Sequence, residues 1–148
     1  MATQKLRDIM TTDLRYCIAE DNIYEAAVKM KSWDIGCIPV CSNGEIIGLV
    51  TDRDLVIRAM AEKKPGSTQI TEVMTKDLVT ATPDMDVEEA ARLMSQKQVR
   101  RLPVVEGKKL VGMCALRDIA IRDRYDVIAE KAISKISEEK DHYHPTSH

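Results

Sequence analysis

Apolar positions along this chain switch between helical and extended spacing at regular intervals, and each switch marks a predicted element. Leu6, Ile9 and Met10 share one side of a short leading helix over residues 3–10. An extended piece lies within 13–19, and a helix opens at Asp21 and carries Ile23, Ala26, Ala27 and Met30. Residues 35–40 form a compact apolar strand containing Pro39. Proline cannot donate to a ladder, so this strand is expected at a sheet edge or to end there. Asn43-Gly44 is a two-residue turn signal between apolar runs, which makes 35–50 a hairpin. The run Glu45-Ile-Ile-Gly-Leu-Val50 reads as a buried strand. At Thr51 the spacing becomes helical again, through Leu55, Val56 and Ala59 to about Glu62.

Lys63-Lys-Pro-Gly-Ser-Thr68 is rich in breakers and interrupts the pattern, which then begins again. Residues 70–74 repeat the lead-in, and 78–81 are extended. Thr82-Pro83-Asp84 opens a helix through Val87, Ala90, Ala91 and Met94. A second proline-bearing strand spans 99–105, followed by the turn Glu106-Gly107-Lys108 and a strand at 110–114. A second corner helix starts near Ala115 and runs to about Tyr125. From Val127 to Ser137 the apolar positions 128, 129, 132, 133 and 136 give an amphipathic helix with no counterpart earlier in the chain.

The two halves match residue by residue at an offset of 64, without a gap. Met10-Thr11 meets Met74-Thr75, Glu25-Ala26-Ala27 meets Glu89-Ala90-Ala91, and Pro39-Val40 meets Pro103-Val104. Gly48 meets Gly112, Arg53-Asp54 meets Arg117-Asp118, and Ile57-Arg58 meets Ile121-Arg122. A tandem repeat governs the fold reading. Each unit runs strand, helix, strand, strand, helix and is too small to bury a comfortable core alone. The expected fold is therefore α/β (α+β), with two motifs packed about a pseudo two-fold axis and clefts between them. The expected boundaries are 1–62 for the first motif with its leading helix, 63–69 for a linker and 70–125 for the second motif. A C-terminal helix is expected over 126–140 and a disordered tail over 141–148.

Composition narrows the function classes. Lys plus Arg number 22 against 24 Asp plus Glu, a formal charge of −2, which gives no general reason to expect a nucleic-acid partner. No apolar run approaches the roughly 18 residues of a membrane span, and the N-terminus lacks the order of a signal peptide. A cytoplasmic location is expected. Cys17, Cys37, Cys41 and Cys114 make no metal-type spacing and read as buried reduced thiols. All three histidines, His142, His144 and His148, fall in the last seven residues, outside any folded site. With no nucleophile beside a base and no metal cluster, no catalytic or metal residue is assigned, and an enzyme is not expected.

The strand-to-helix corner carries the candidate chemistry. Thr51 is an N-cap, and Asp54 three residues later answers it. Thr51, Asp54 and Arg58 share one helix face at spacings of 0, +3 and +7. Two readings follow. The corner is a capped helix with an Asp54–Arg58 pair at i, i+4, or it holds a ribose and a phosphate.

The repeat, the element order and the G-x-x-T-x-x-D ending (Gly48, Thr51, Asp54) together resemble the CBS domain family, named after cystathionine β-synthase. Asp8-Ile-Met-Thr11 and Glu72-Val-Met-Thr75 fit it, as do Ile38-Pro-Val40 and Leu102-Pro-Val104. The resemblance covers residues 5–124 or so and extends to small stand-alone bacterial CBS-pair proteins. It implies a regulatory module that binds an adenosine derivative (AMP, ADP, ATP, S-adenosylmethionine or NAD) as a ligand, with no cofactor required. By the same resemblance Asp54 and Asp118 hold ribose hydroxyls, and Thr51 contacts ribose or phosphate. Arg58 and its equivalent Arg122 lie on the same faces as these aspartates.

The second corner departs from the pattern, since Ala115 replaces Thr51 and has no hydroxyl. Arg100 and Arg101 precede Leu102-Pro103, where basic residues of the family contact phosphate; Gly36 and Cys37 stand there in the first repeat. Adjacent strand residues point to opposite faces, so one of the two is expected to reach a given ligand. A homodimer and an unnamed protein target are expected partners, without membrane or nucleic acid. The competing class is a ligand-independent interaction or dimerisation module, stress- or redox-related, using 127–137, the methionines and Trp33.

Overall fold

The computed structural model describes residues 4–120 and 132–136. Its elements are β1 (Cys17–Ile18), α1 (Ile23–Trp33), β2 (Cys37–Ser42), β3 (Glu45–Thr51), α2 (Asp52–Asp54), α3 (Val87–Lys97), β4 (Arg101–Glu106), β5 (Lys109–Ala115) and α4 (Leu116–Ala120). Helix α2 runs on as a π-helix over Leu55–Met60. The mixed α/β class and the repeated order are those expected. In the second repeat the first strand is reduced to a single parallel bridge between Ala81 and Val104. The expected leading helix is one 3₁₀ turn, Leu6–Asp8, and Ile70–Glu72 repeats it. Residues 132–136 are helical, with Ala132 and Ile136 buried. The rest of the expected C-terminal helix, the tail with its histidines, and Arg122 lie outside the described residues.

Contacts divide the chain into two compact units that cut across the repeat order. One is Arg15–Leu78; the other joins the chain before Arg15 to the chain from Val79 onward. The lead-in segments are the reason. In the 15–78 unit the Leu49 N–H donates to the Thr75 carbonyl at 2.9 Å, and the Thr75 N–H donates to that of Leu49 at 2.7 Å. Thr11 and Met113 make the same two bonds in the split unit, at 2.8 and 3.0 Å. The lead-in of each repeat thus lies on the hairpin of the other. Gly48 and Gly112 permit the approach: a Cβ at either would stand 2.5 Å from the sulfur of Met74 or Met10 respectively.

Within the 15–78 unit β1 pairs parallel with β2, and β2 pairs antiparallel with β3. Pro39 sits inside β2, opposite Leu49, so the strand neither ends there nor lies at an edge. Leu49 directs its backbone groups to Thr75, which makes Pro39–Leu49 a non-hydrogen-bonded pair. Pairing with β1 begins only at Val40, so the missing N–H leaves no gap in either ladder. Pro103 and Met113 repeat the arrangement in β4–β5. Asn43 and Gly44 both take positive φ, 54° and 81°, as a two-residue hairpin turn requires.

Each unit has its own core. Ile23, Ala26, Ile38, Val40, Val50, Ile70 and Val73 lie in one; Leu6, Val87, Ala91, Met94, Leu102, Val104 and Ile119 lie in the other. Helix α1 is capped by Asn22, one residue after the expected start, in a reciprocal box with Glu25. Helix α3 begins after Asp86 rather than at Thr82-Pro83. The N-terminal lead-in holds that segment extended, since the Leu6 N–H donates to Met85 and the Val87 N–H to Gln4.

Candidate functional site

Strand β3 delivers the chain to Thr51 opposite Cys37, and the Asp52 N–H donates to the Gly36 carbonyl at 2.9 Å. Those two contacts fix the corner before any side chain acts. Thr51 Oγ1 then accepts from the Asp54 N–H, and Asp54 Oδ2 accepts from the Thr51 N–H, both at 3.0 Å. The Thr75 hydroxyl also donates to Asp54 Oδ2, at 3.3 Å. The Arg58 guanidinium lies 3.6 Å from Asp54 Oδ1 through Nε and donates to the Met74 carbonyl at 3.3 Å. Asp54 is only 8% exposed.

The structure therefore brings Thr51, Asp54 and Arg58 together, and the capped-helix geometry with its i, i+4 pair is present. The geometry also presents a carboxylate of fixed orientation. Its Oδ2 is occupied by two donors, while the described partner of Oδ1 is a guanidinium beyond ordinary hydrogen-bond length. The helix that follows is of π type, with the Ala61 N–H bonded to Val56 and the Lys64 N–H to Ala59. Such turns recur at functional sites.

At the second corner Asp118 Oδ2 accepts from the Ala115 N–H at 2.9 Å, and the Leu116 N–H donates to Arg100 at 2.8 Å. The backbone plan is that of the first corner without the hydroxyl. Arg101 stands directly opposite Ala115 in the β4–β5 register, and both Arg100 and Arg101 are half-buried. Asp118 is thus placed with both arginines at one corner.

Thr75 and the Met74 carbonyl are the site groups that sequence reading missed. The only signal was the repetition of Met-Thr at 10–11 and 74–75, which gave no hint that Thr75 reaches the first repeat's aspartate. Among the described residues no group of three or more His, Cys, Asp or Glu is placed to hold a metal. Cys17, Cys41 and Cys114 are buried free thiols, and burial pushes Cys17 up to about 11 and Cys114 up to about 12. Cys37, beside Thr51, is half-buried. No helix among the described residues is long and apolar enough to cross a membrane.

The model of the CBS domain matches residues 6–60 and 70–123. Uncharacterized protein YlbB of Bacillus subtilis is 48% identical over 136 residues, 90% of this chain and 92% of its own length. Hypoxic response protein 1 of Mycobacterium tuberculosis is 32% identical over 117 residues, 77% of this chain and 81% of its own. The solved CBS domain pair of protein MJ0100, in complex with 5′-methylthioadenosine and S-adenosyl-L-methionine, aligns at a TM-score of 0.71 and 26% identity, covering 81% of this chain and 95% of that one. The chain belongs to the CBS domain family and carries two CBS domains in tandem.

Proposed function

We propose that this CBS pair is a regulatory module that senses an adenosine derivative rather than an enzyme. The observation that carries the reading is the Asp54 carboxylate. It is nearly buried and oriented by Thr51 and Thr75 through Oδ2, so that Oδ1 is left to accept from vicinal ribose hydroxyls. Thr51 and Arg58 stand beside it, and Asp118 repeats the carboxylate in the second corner. The complex of the MJ0100 pair with two adenosine derivatives supports the ligand class. AMP, ADP, ATP, S-adenosylmethionine and NAD are the candidates. Ligand occupancy would then change the conformation or partner binding of a cytoplasmic protein.

Thermal shift against that panel tests the reading. A ligand at about 100 times its dissociation constant adds roughly 2.7 kcal/mol, and each kcal/mol moves the midpoint by about 2–4 °C at this size. At least one compound should raise the midpoint clearly; a flat panel would favour a ligand-independent interaction module.

The partner-binding half of the proposal is a homodimer. Val56, Ile57 and Met60 support it, exposed by 51%, 48% and 75% on the π-helix that begins at the Asp54 corner. Sedimentation should give the mass of two chains, and a monomer at micromolar concentration would remove this part.

A further inference from the structure

Both oxygens of the Asp54 carboxylate lead to the same two residues, and those residues belong to the other repeat. Oδ2 accepts from the Thr75 hydroxyl at 3.3 Å. Oδ1 lies 3.6 Å from Arg58 Nε, and the same guanidinium donates to the Met74 carbonyl at 3.3 Å. Met74 and Thr75 sit in the lead-in of the second repeat, just past the 3₁₀ turn Ile70–Glu72. The paired Leu49–Thr75 backbone bonds, at 2.9 and 2.7 Å, and the close approach at Gly48 clamp them on the first hairpin. The lead-in therefore meets the corner through main chain, hydroxyl and guanidinium at once.

The second corner has the same backbone without the hydroxyl tie. Thr11 and Met113 repeat the two backbone bonds, at 2.8 and 3.0 Å. Thr11 is exposed, however, whereas Thr75 is half-buried. Among the described residues Asp118 accepts from the Ala115 N–H and from no hydroxyl. Asp118 is itself half-buried, while Asp54 is buried. The two corners thus differ in whether a side chain of the lead-in fixes the carboxylate.

Arg58 is the exchangeable member of the first connection. Its side chain is 52% exposed, and its distance to Oδ1 exceeds an ordinary hydrogen bond. Any hydroxyl that donates to Oδ1 takes the place Arg58 holds. The guanidinium then keeps only its long bond to the Met74 carbonyl, in competition with water. We propose that Met74 and Thr75 are the built-in reporter of the first corner. Thr75 positions the Asp54 carboxylate, and Arg58 passes the occupation of Oδ1 to the Met74 main chain, which loosens the lead-in on its hairpin. The Thr11–Met113 contact carries no such signal. The reporter rests on the ribose reading for its trigger alone.

Amide hydrogen exchange of the full chain tests it, with the Leu49 and Thr75 amides as reporter pair and the Thr11 and Met113 amides as control pair in the same molecule. In the ligand-free protein, Arg58→Met should speed exchange at the reporter pair about threefold or more. The control pair should stay unchanged, which also shows that the fold is intact. Saturating the parent with 5′-methylthioadenosine should raise reporter exchange relative to control by a similar factor, and should add nothing further in Arg58→Met. Thr75→Val should weaken that compound about threefold or more, and Thr75→Ser should restore it. An Arg58→Met variant in which both pairs exchange as in the parent would overturn the reporter. So would a calorimetrically bound ligand that leaves the ratio of the two pairs unchanged. Failure of 5′-methylthioadenosine to bind would count against the ribose reading, and the ligand-free Arg58→Met comparison would still decide the link between Arg58 and the lead-in.

Discussion

The two corners keep the same backbone and the same aspartate, and differ in the side chains nearest to it. In both, the N–H one residue past the last strand pair donates to the residue before the proline strand: Asp52 to Gly36, Leu116 to Arg100. In both, the aspartate accepts from the N–H three residues earlier. Around that constant frame a threonine becomes alanine, and a glycine and a cysteine become arginines. The frame is thus held by main-chain hydrogen bonds and apolar packing, which leaves the side chains around it free to diverge. A second contrast lies behind the corners. Asp21 and Lys29 pair at 2.9 Å in the 15–78 unit, whereas their counterparts in the split unit are Met85 and Leu93, packed against the core.

Breaking the shared frame should have the largest effect. Gly48→Ala forces a Cβ to 2.5 Å from the Met74 sulfur and 3.0 Å from the Thr75 carbonyl oxygen. Overpacking of this kind costs about 1–3 kcal/mol. At Gly112 the three atoms nearest an added Cβ all belong to the flexible Met10 side chain, so Gly112→Ala should cost less. Denaturant unfolding of both variants measures the difference, and equal losses would deny Thr75 its role as the rigid wall of the first corner.

The ion pair comes next. Burial alone would raise the Asp21 carboxyl, but the Lys29 ammonium and the Ile18 N–H outweigh it and hold the group below the ordinary carboxylate range. Such a group stabilises the fold above its unfolded value of about 3.9, and the contribution is lost as pH falls through the lowered folded value. Lys29 is partly exposed, so the pair is worth about 1–2 kcal/mol rather than the full value of a buried charge. Asp21→Asn should flatten the acid limb of a stability-versus-pH curve. Asp21→Met with Lys29→Leu, which copies the split unit, should recover most of the loss at pH 7. An unchanged acid limb in Asp21→Asn would mean that other carboxylates set it.

Much of this was legible because it is written locally. The repeat, both hairpins and both corners follow from apolar spacing, turn residues and caps within a few positions of one another. What escaped has its cause elsewhere in the chain. Nothing near Met10 says that it packs on Gly112, and nothing near Thr75 says that its hydroxyl serves Asp54. Pro39 reads as a strand breaker until Leu49 is seen to turn its hydrogen bonds to Thr75. Helix α3 starts late because the N-terminal lead-in claims the residues before Asp86. The π turn after Asp54 has an ordinary helical apolar spacing, so its sequence did not distinguish it from α.

The hydroxyl difference should have the smallest effect on stability. Thr51→Ala, which turns the first cap into the second, should cost about 1 kcal/mol, and Ala115→Thr should return a similar amount to the other corner. Melting temperatures of the two single variants and the double variant test this. A neutral Ala115→Thr would show that the second corner has repacked around its alanine.

The central claim, that Asp54 holds the ribose of an adenosine ligand, is tested most directly by titrating Asp54→Ala with the compound that most stabilises the parent, while following its melting temperature. Hydrogen bonds to a charged group contribute about 1.5–3 kcal/mol each, and about 1.4 kcal/mol is one decade of affinity. The account predicts a loss of tenfold or more in affinity, alongside the modest drop in stability expected from a lost cap. A variant that melts earlier yet binds as tightly as the parent would contradict it, and Asp54 would then be a helix-start residue alone.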